Sequence, residues 1–365
     1  MFVSRTRLAI GVLGILATAP AFTSSVVPND PRVRYIGRFD TLDPDGPKCS
    51  WPASTVEISF RGTFIKVNLR ETGQDQLQVV VDGVPTQILK LTKGEGTYVA
   101  AMGLRLGDHV VQLFKRTEAF VGTVQYLGFD VDGRLRDPVR PRHVIEIIGD
   151  SISCGYGIEA KSRDEHFRAD TENAYETYGA IAARELGADL IDISCSGRKM
   201  WPDSTIPELY DLSIPDDKTT VWDQRQQTPD IILINLGTND FGRVIPDERK
   251  WSGAYADFIK RLRERAPHAR IYCAIGPMIS NTWPPEVKAL SSLQRYLTDV
   301  VGLRAAVGDN NLRILEFGTH DEARDGMGAD SHPSLKTHQR MAQDLVSAIR
   351  QELSWNPINR VWTGN

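Results

Sequence analysis

Four short polar or glycine-containing strings carry the chemistry this sequence can do, and each comes after an apolar run that reads as a strand. Gly149-Asp150-Ser151 closes the run Ile147-Ile148 and turns on through Gly155 and Gly157. Ser194-Cys195-Ser196-Gly197-Arg198 follows Leu190 to Ile193, and Gly237-Thr238-Asn239-Asp240 follows Ile231 to Leu236. Asp330-Ser331-His332-Pro333-Ser334 comes some way after Leu312 to Leu315. These residue types suit acyl transfer. A serine hydroxyl is a poor nucleophile at neutral pH and needs an adjacent base. His332 can take the Ser151 proton and return it to a leaving alcohol. Charge developing on the carbonyl oxygen needs donors already in place. The backbone N–H groups of Ser151 and Gly197 and the side-chain amide of Asn239 make three candidates.

Strings so far apart meet only if the elements between them bring them together. From Val144 onward the pattern alternates strand and helix. Val144 to Ile148 reads as an apolar strand covered on both faces, and Ala174 to Leu186 reads as a helix. Strands are predicted at 190–193, 231–236, 271–275 and 312–315. Trp251, Tyr255, Phe258, Ile259 and Leu262 recur at helical spacing, as do Leu290, Leu293, Leu297, Val300 and Val301, and Leu335, Met341, Leu345 and Ile349. This alternation predicts an α/β domain, a parallel sheet wrapped by helices, over 142–355. Ligands of such sheets collect beyond the C-terminal strand ends, where all four strings fall.

Ahead of a polar connector at 132–142, residues 30–135 read as β throughout. Val56, Ile58 and Phe60 alternate with polar residues, as do Ile65, Val67 and Leu69. The run 77–81 meets Asp82-Gly83, a hairpin signal. Further short runs at 88–91, 98–102, 110–114 and 124–131 complete a predicted β-sandwich. Before it, Arg5 and Arg7 precede the apolar run Leu8 to Leu16, and Ala19-Pro20-Ala21 fits a cleavage site. Residues 1–21 therefore read as a signal peptide, and the mature protein as soluble and exported, with no membrane partner. The 365 residues are 41% hydrophobic and 25% charged, ordinary for globular domains, and a net charge of −4 gives no footprint for nucleic acid. Export permits disulfides among Cys49, Cys154, Cys195 and Cys273, but their spacing does not choose between pairings and free thiols.

In their order, the four strings resemble the sequence blocks of the SGNH (GDSL-like) hydrolases. The longer strings Gly149 to Gly157, Pro229 to Asp240 and Asp330 to Ser334, behind a β region carrying His109 to Glu118, resemble carbohydrate esterase family two. That resemblance implies a small jelly-roll sandwich before an SGNH catalytic domain. It implies a serine esterase that removes acetyl groups from xylan and other plant polysaccharides, with no cofactor or metal. Two positions depart from the pattern. The broad family places aspartate three residues before the histidine, where this chain has Ala329. Asp330 or a backbone carbonyl is then left to orient His332. The position before the histidine, often tryptophan in the family, is Ser331.

Other residues carry quieter readings. Asp150 suits a turn support, and His338 a packed or capping histidine. His143, His166, His268 and His320 lie outside any motif. Trp201, Trp222 and Trp283 follow strands or lie in loops, where an indole can stack on a sugar or simply fill core. Asp223 and Asp240 show no glycosidase-like partner. The competing functions are a GDSL-type lipase or thioesterase for longer acyl chains, and an inert hydrolase domain behind a carbohydrate-binding sandwich.

Overall fold

The structure, a computed structural model, describes residues 23–355 apart from Gln224 and Trp283. The stretch read as a signal peptide and Trp283 lie outside the described residues. Among those described, no helix is long and apolar enough to cross a membrane.

The N-terminal half is two antiparallel sheets face to face. One runs in the order Ser24–Val26, Val124–Val131, Ile65–Glu71, Gly94–Ala101, with Lys48–Cys49 also on Val124–Val131. The other runs Arg134–Leu135, Thr55–Gly62, Gly107–Lys115, Gln76–Val81, Val84–Lys90, with Val33–Ile36 also on Thr55–Gly62. The alternating residues do what their period dictates. Val56, Ile58, Phe60, Ile65, Val67 and Leu69 are all fully buried, packed with Val111, Leu113, Phe129 and Val131. Burying each such side chain is worth roughly 1.5–3 kcal/mol. Asp82 and Gly83 both have positive φ, 53° and 82°, and make the two-residue turn between Gln76–Val81 and Val84–Lys90.

The strand Ser24–Val26 begins ahead of residue 30, and the stretch read as connector opens with the strand Arg134–Leu135. Both are too short to carry a periodic signal. Thr55–Gly62 is buried at nearly every position, not at every second one. The reason is that the outer face of its sheet is covered too. Ala53, Val80 and Phe114 share a core with Ile145, Tyr175 and Tyr178 of the second half.

In that second half, five strands form one parallel sheet in the order Asp189–Ser194, Val144–Gly149, Ile231–Asn235, Arg270–Ile275, Leu312–Glu316. Helices Tyr178–Leu186 and Leu335–Leu353 cover one face, through Ala182, Leu186, Met341, Leu345 and Ile349. Glu248–Arg265 and Ala289–Ala306 cover the other, with all five periodic residues of the former buried. The predicted helix from 174 is broken. A short turn at Ala174–Glu176 stops at Thr177, whose side chain accepts the N–H of Ala180 and starts a new helix. The apolar run 144–148 is also interrupted, by Glu146. That side chain is buried and faces Arg38 of the sandwich at 3.4 Å. All four cysteines are buried free thiols.

A buried ion pair fixes the end of the sandwich strand Gly107–Lys115. Lys115 Nζ donates to Asp75 Oδ1 at 2.7 Å and to the carbonyl of Thr117 at 2.8 Å, and both charged side chains are wholly inaccessible. Removing one partner of such a pair strands the other's charge. Asp75→Ala should therefore lose roughly 3–5 kcal/mol of unfolding free energy in denaturant titration.

Candidate active site

The first two strands of the parallel sheet lie side by side, and the chain crosses to the other side of Val144–Gly149 to place the third. Chain direction around the sheet reverses here, which opens a crevice beyond the C-terminal strand ends. Ser151 sits in it, just beyond the end of the strand Val144–Gly149, which lies between Asp189–Ser194 and Ile231–Asn235. Asp150 caps the short helix Ser151–Cys154, its Oδ1 accepting the Ile152 N–H at 3.0 Å. Burial pushes the Asp150 carboxyl up to about 7. Its other oxygen faces Asn239 Nδ2 at 3.3 Å, which ties the first strand end to the third. Asp150 is thus the turn support its position suggested.

His332 Nε2 lies 2.8 Å from Ser151 Oγ, and its Nδ1 lies 3.1 Å from the carbonyl oxygen of Ala329. A carbonyl can only accept, so Nδ1 carries the proton and Nε2 is free to take one from the serine. Burial, partly opposed by the Ala329 hydrogen bond, holds the imidazole below its ordinary pKa, so it stays neutral at pH 7. Tyr156 stacks on it with ring centroids 4.2 Å apart.

Asp330 does not orient His332. Its Oδ2 accepts from Tyr156 Oη and its Oδ1 pairs with His166 Nδ1, each at 2.8 Å. Asp330 and Ser331 both adopt left-handed backbone, φ 51° and 63°, which turns the Asp330 carboxylate away from the imidazole and presents the Ala329 carbonyl instead. The aspartate thus supports the loop and the ring stacked on the base. His166, read as a surface or core residue, is exposed but bonded within this network.

The loop after the second strand is tied down at three places. The Glu118 carboxylate, from the sandwich, accepts the Ser196 N–H at 2.7 Å and the Ser196 hydroxyl. Asn239 Nδ2 donates to the carbonyl of Arg198 at 2.9 Å. Asp240 accepts the N–H groups of Met200 and Trp201 and the Trp251 indole. Gly197 lies between these anchors, exposed, with φ 75° and nothing within 4 Å of where a Cβ would stand. Among the tryptophans, Trp222 is buried, with the Arg38 guanidinium 6.0 Å from its ring centroid, and is no sugar platform. Trp201 is partly buried against the core beside this loop. His338 is a structural histidine. Its Nδ1 accepts the Tyr178 N–H, and burial pushes its pKa down to about 3.

Glu118, Tyr156 and Asp240 are the site residues that motif reading left without a role. Tyr156 lies inside the glycine turn and Asp240 closes the third string. Glu118 sits in the other half of the chain, at the end of the string His109 to Glu118 that carries the resemblance there, but nothing local ties it to the site.

Comparison with known proteins gives a consistent family. Residues 35–138 match the family described as carbohydrate esterase 2 N-terminal, and 147–340 match the GDSL-like lipase/acylhydrolase family. The chain is 38% identical over 335 residues to the cellulase/esterase CelE of Acetivibrio thermocellus. That match takes in 90% of this chain but only 40% of the relative's length. An acetylxylan esterase/glucomannan deacetylase of Cellvibrio japonicus is 26% identical, with 91% of this chain and 92% of the relative covered. Among solved structures, a family two carbohydrate esterase from Clostridium thermocellum in complex with cellohexaose superposes with a TM-score of 0.84. It is 38% identical, with 89% of this chain and all of that one covered.

Two outcomes follow from the geometry of His332. Asp330→Ala should lower kcat on an aryl acetate by no more than about tenfold, whereas loss of a triad aspartate costs on the order of 10⁴. A protonated imidazole cannot accept the serine proton, so the rate falls as pH drops through the His332 pKa. Since burial lowers that pKa, the acid limb of kcat/KM should have its midpoint below 6.5.

Proposed function

Because the chain belongs to the family two carbohydrate esterases, we propose that it is a serine esterase that removes O-acetyl groups from plant polysaccharides through an acetyl-enzyme on Ser151. The observation that carries this reading is the chain of contacts Ser151 Oγ, His332, Ala329 carbonyl. It is a nucleophile, a neutral base and a fixed tautomer in line. The relatives named as acetylxylan esterases and glucomannan deacetylases support an acetylated polysaccharide as substrate. The charged and then apolar N-terminal segment supports export, which suits a polymer substrate outside the cell.

In the first half-reaction His332 Nε2 takes the Ser151 proton as Oγ attacks the acetyl carbonyl carbon. The resulting oxyanion draws on the backbone N–H groups of Ser151 and Gly197 and on the Asn239 Nδ2 hydrogen that faces Asp150 at 3.3 Å, while the other Nδ2 hydrogen stays on the Arg198 carbonyl. The imidazolium then returns its proton to the departing sugar hydroxyl, leaving acetyl on Ser151. Its Nδ1–H stays on the Ala329 carbonyl throughout. A water gives a proton to His332 Nε2 and attacks the acetyl carbon; the bond to Ser151 Oγ breaks, acetate leaves, and the imidazolium returns the proton to Oγ. Every step uses side chains and backbone of this chain.

Ser151→Ala should abolish hydrolysis of an aryl acetate while leaving the melting profile unchanged; turnover surviving in that variant would sink the reading. A series of aryl esters should lose rate sharply beyond short acyl groups, and a flat or rising series would point to a lipase. Acetate release from acetylated xylan, glucomannan and pectin, followed by NMR, reads out the polymer and the hydroxyl position together.

A further inference from the structure

Gly197 is exposed and nothing packs on its open side, so its neighbours must set where its N–H points. Asn239 holds the following residue through the Arg198 carbonyl. The preceding residue is held from the other half of the molecule. Ser196 gives both its N–H and its hydroxyl to the carboxylate of Glu118.

Glu118 is itself built in. Its side chain is buried, its own N–H donates to Glu172 Oε2 at 3.0 Å, and its carbonyl accepts from Lys115 Nζ at 3.3 Å. Oxygens of Glu118 and Glu172 and the sulfur of Cys154 lie within 4.8 Å of one another, all buried. Two buried carboxyl groups so close cannot both be ionised. Glu118 takes two donors from Ser196, while Glu172 Oε1 has none. The proton therefore belongs on Glu172 and the charge on Glu118. Burial pushes both carboxyls up, but the two bonds from Ser196 draw Glu118 back down, while the Glu118 charge adds to burial and pushes Glu172 well above the ordinary carboxylate range. Burial likewise keeps Cys154 a thiol, able to donate.

We propose that Glu118, a residue of the β-sandwich, is a positioning residue for the esterase reaction: its carboxylate clamps Ser196 and thereby aims the Gly197 N–H at the oxygen that becomes negative. The proposal rests on the Ser151 acetyl-enzyme reading above. It makes the sandwich part of the catalytic apparatus, without contact between Glu118 and substrate. A buried, ionised carboxylate suits this work, because charge-assisted bonds hold a loop more stiffly than neutral ones.

The test compares kcat and KM on 4-nitrophenyl acetate for the full chain and its Ser151→Ala, Glu118→Ala, Glu118→Gln and Ser196→Ala variants. Rates are normalised to active sites titrated to completion with a fluorophosphonate or, for Ser151→Ala, which has no hydroxyl to label, to protein concentration. Misplacing one oxyanion donor should lower kcat in Glu118→Ala by about 10- to 100-fold, with KM within about threefold. Glu118→Gln still offers one accepting oxygen and should fall between that variant and the wild type. Ser196→Ala loses the hydroxyl half of the clamp and should lose roughly three- to tenfold in kcat. Wild-type kcat in folded Glu118→Ala, or a loss confined to KM, overturns the proposal. If the Glu118 variants do not fold, Ser196→Ala decides, and kcat within about twofold of wild type overturns it. Activity retained in Ser151→Ala removes instead the reading beneath it.

Discussion

A 2.8 Å contact between the side chains of Ser151 and His332, 181 residues apart in sequence, is the constraint the catalytic half is built to meet. Errors of about 1 Å in such a contact can cost on the order of 10²-fold in rate, so both ends must be held. The serine end is held by the strand behind it and by the Asp150 cap. The histidine end is held by a loop that makes two left-handed residues in succession, each costing roughly 1–3 kcal/mol unless the surroundings enforce it. The surroundings do so here. Glu165 accepts the Asp330 N–H, Tyr156 and His166 hold the Asp330 side chain, and the Gly328 N–H donates to the His332 carbonyl. Gly157, at φ 57°, lets the two loops touch, since a Cβ there would come within 2.4 Å of Ala329.

The sandwich is bound to this half by desolvated charges as much as by apolar contact. Arg34, held by Glu57 within the sandwich, reaches Asp189; Arg38 reaches Glu146 and the Tyr210 carbonyl; and buried Arg116 reaches Glu159 at the surface. Buried ion pairs are weak sources of stability, because desolvation offsets their attraction. They are unforgiving of misalignment, however, since a displaced partner leaves a stranded charge. An interface made this way favours one relative placement of the halves over many similar ones. A residue such as Glu118 can then act at a loop on the opposite side of the boundary.

Much of this was legible from periodicity. The alternation of Val56, Ile58 and Phe60, the helical spacing from Trp251 to Leu262 and the Asp82-Gly83 turn each encode their structure locally, and each folds as that code implies. The strings at the strand ends were legible for a related reason, because a parallel sheet delivers them to one edge. What local sequence could not carry was any fact that depends on a long-range neighbour. Glu146 looks anomalous in its strand until Arg38 is placed beside it. Asp330 looks like the partner of His332 until the backbone sign at 330 and 331 is known. Cys154 and Cys195 both follow strands, yet strand ends say nothing about whether two sulfurs face each other.

Ala329 stands where the resemblance to the broad SGNH pattern implies an aspartate, and its surroundings bear on whether one could stand there. The side chain is fully buried and lies against the glycine turn that follows Ser151. A carboxylate at 329 would need room in a buried space that the turn at 155–157 already adjoins. Placing a third catalytic member there is therefore more than a single substitution, because the turn at 155–157 and the loop at 328–331 would have to move apart together.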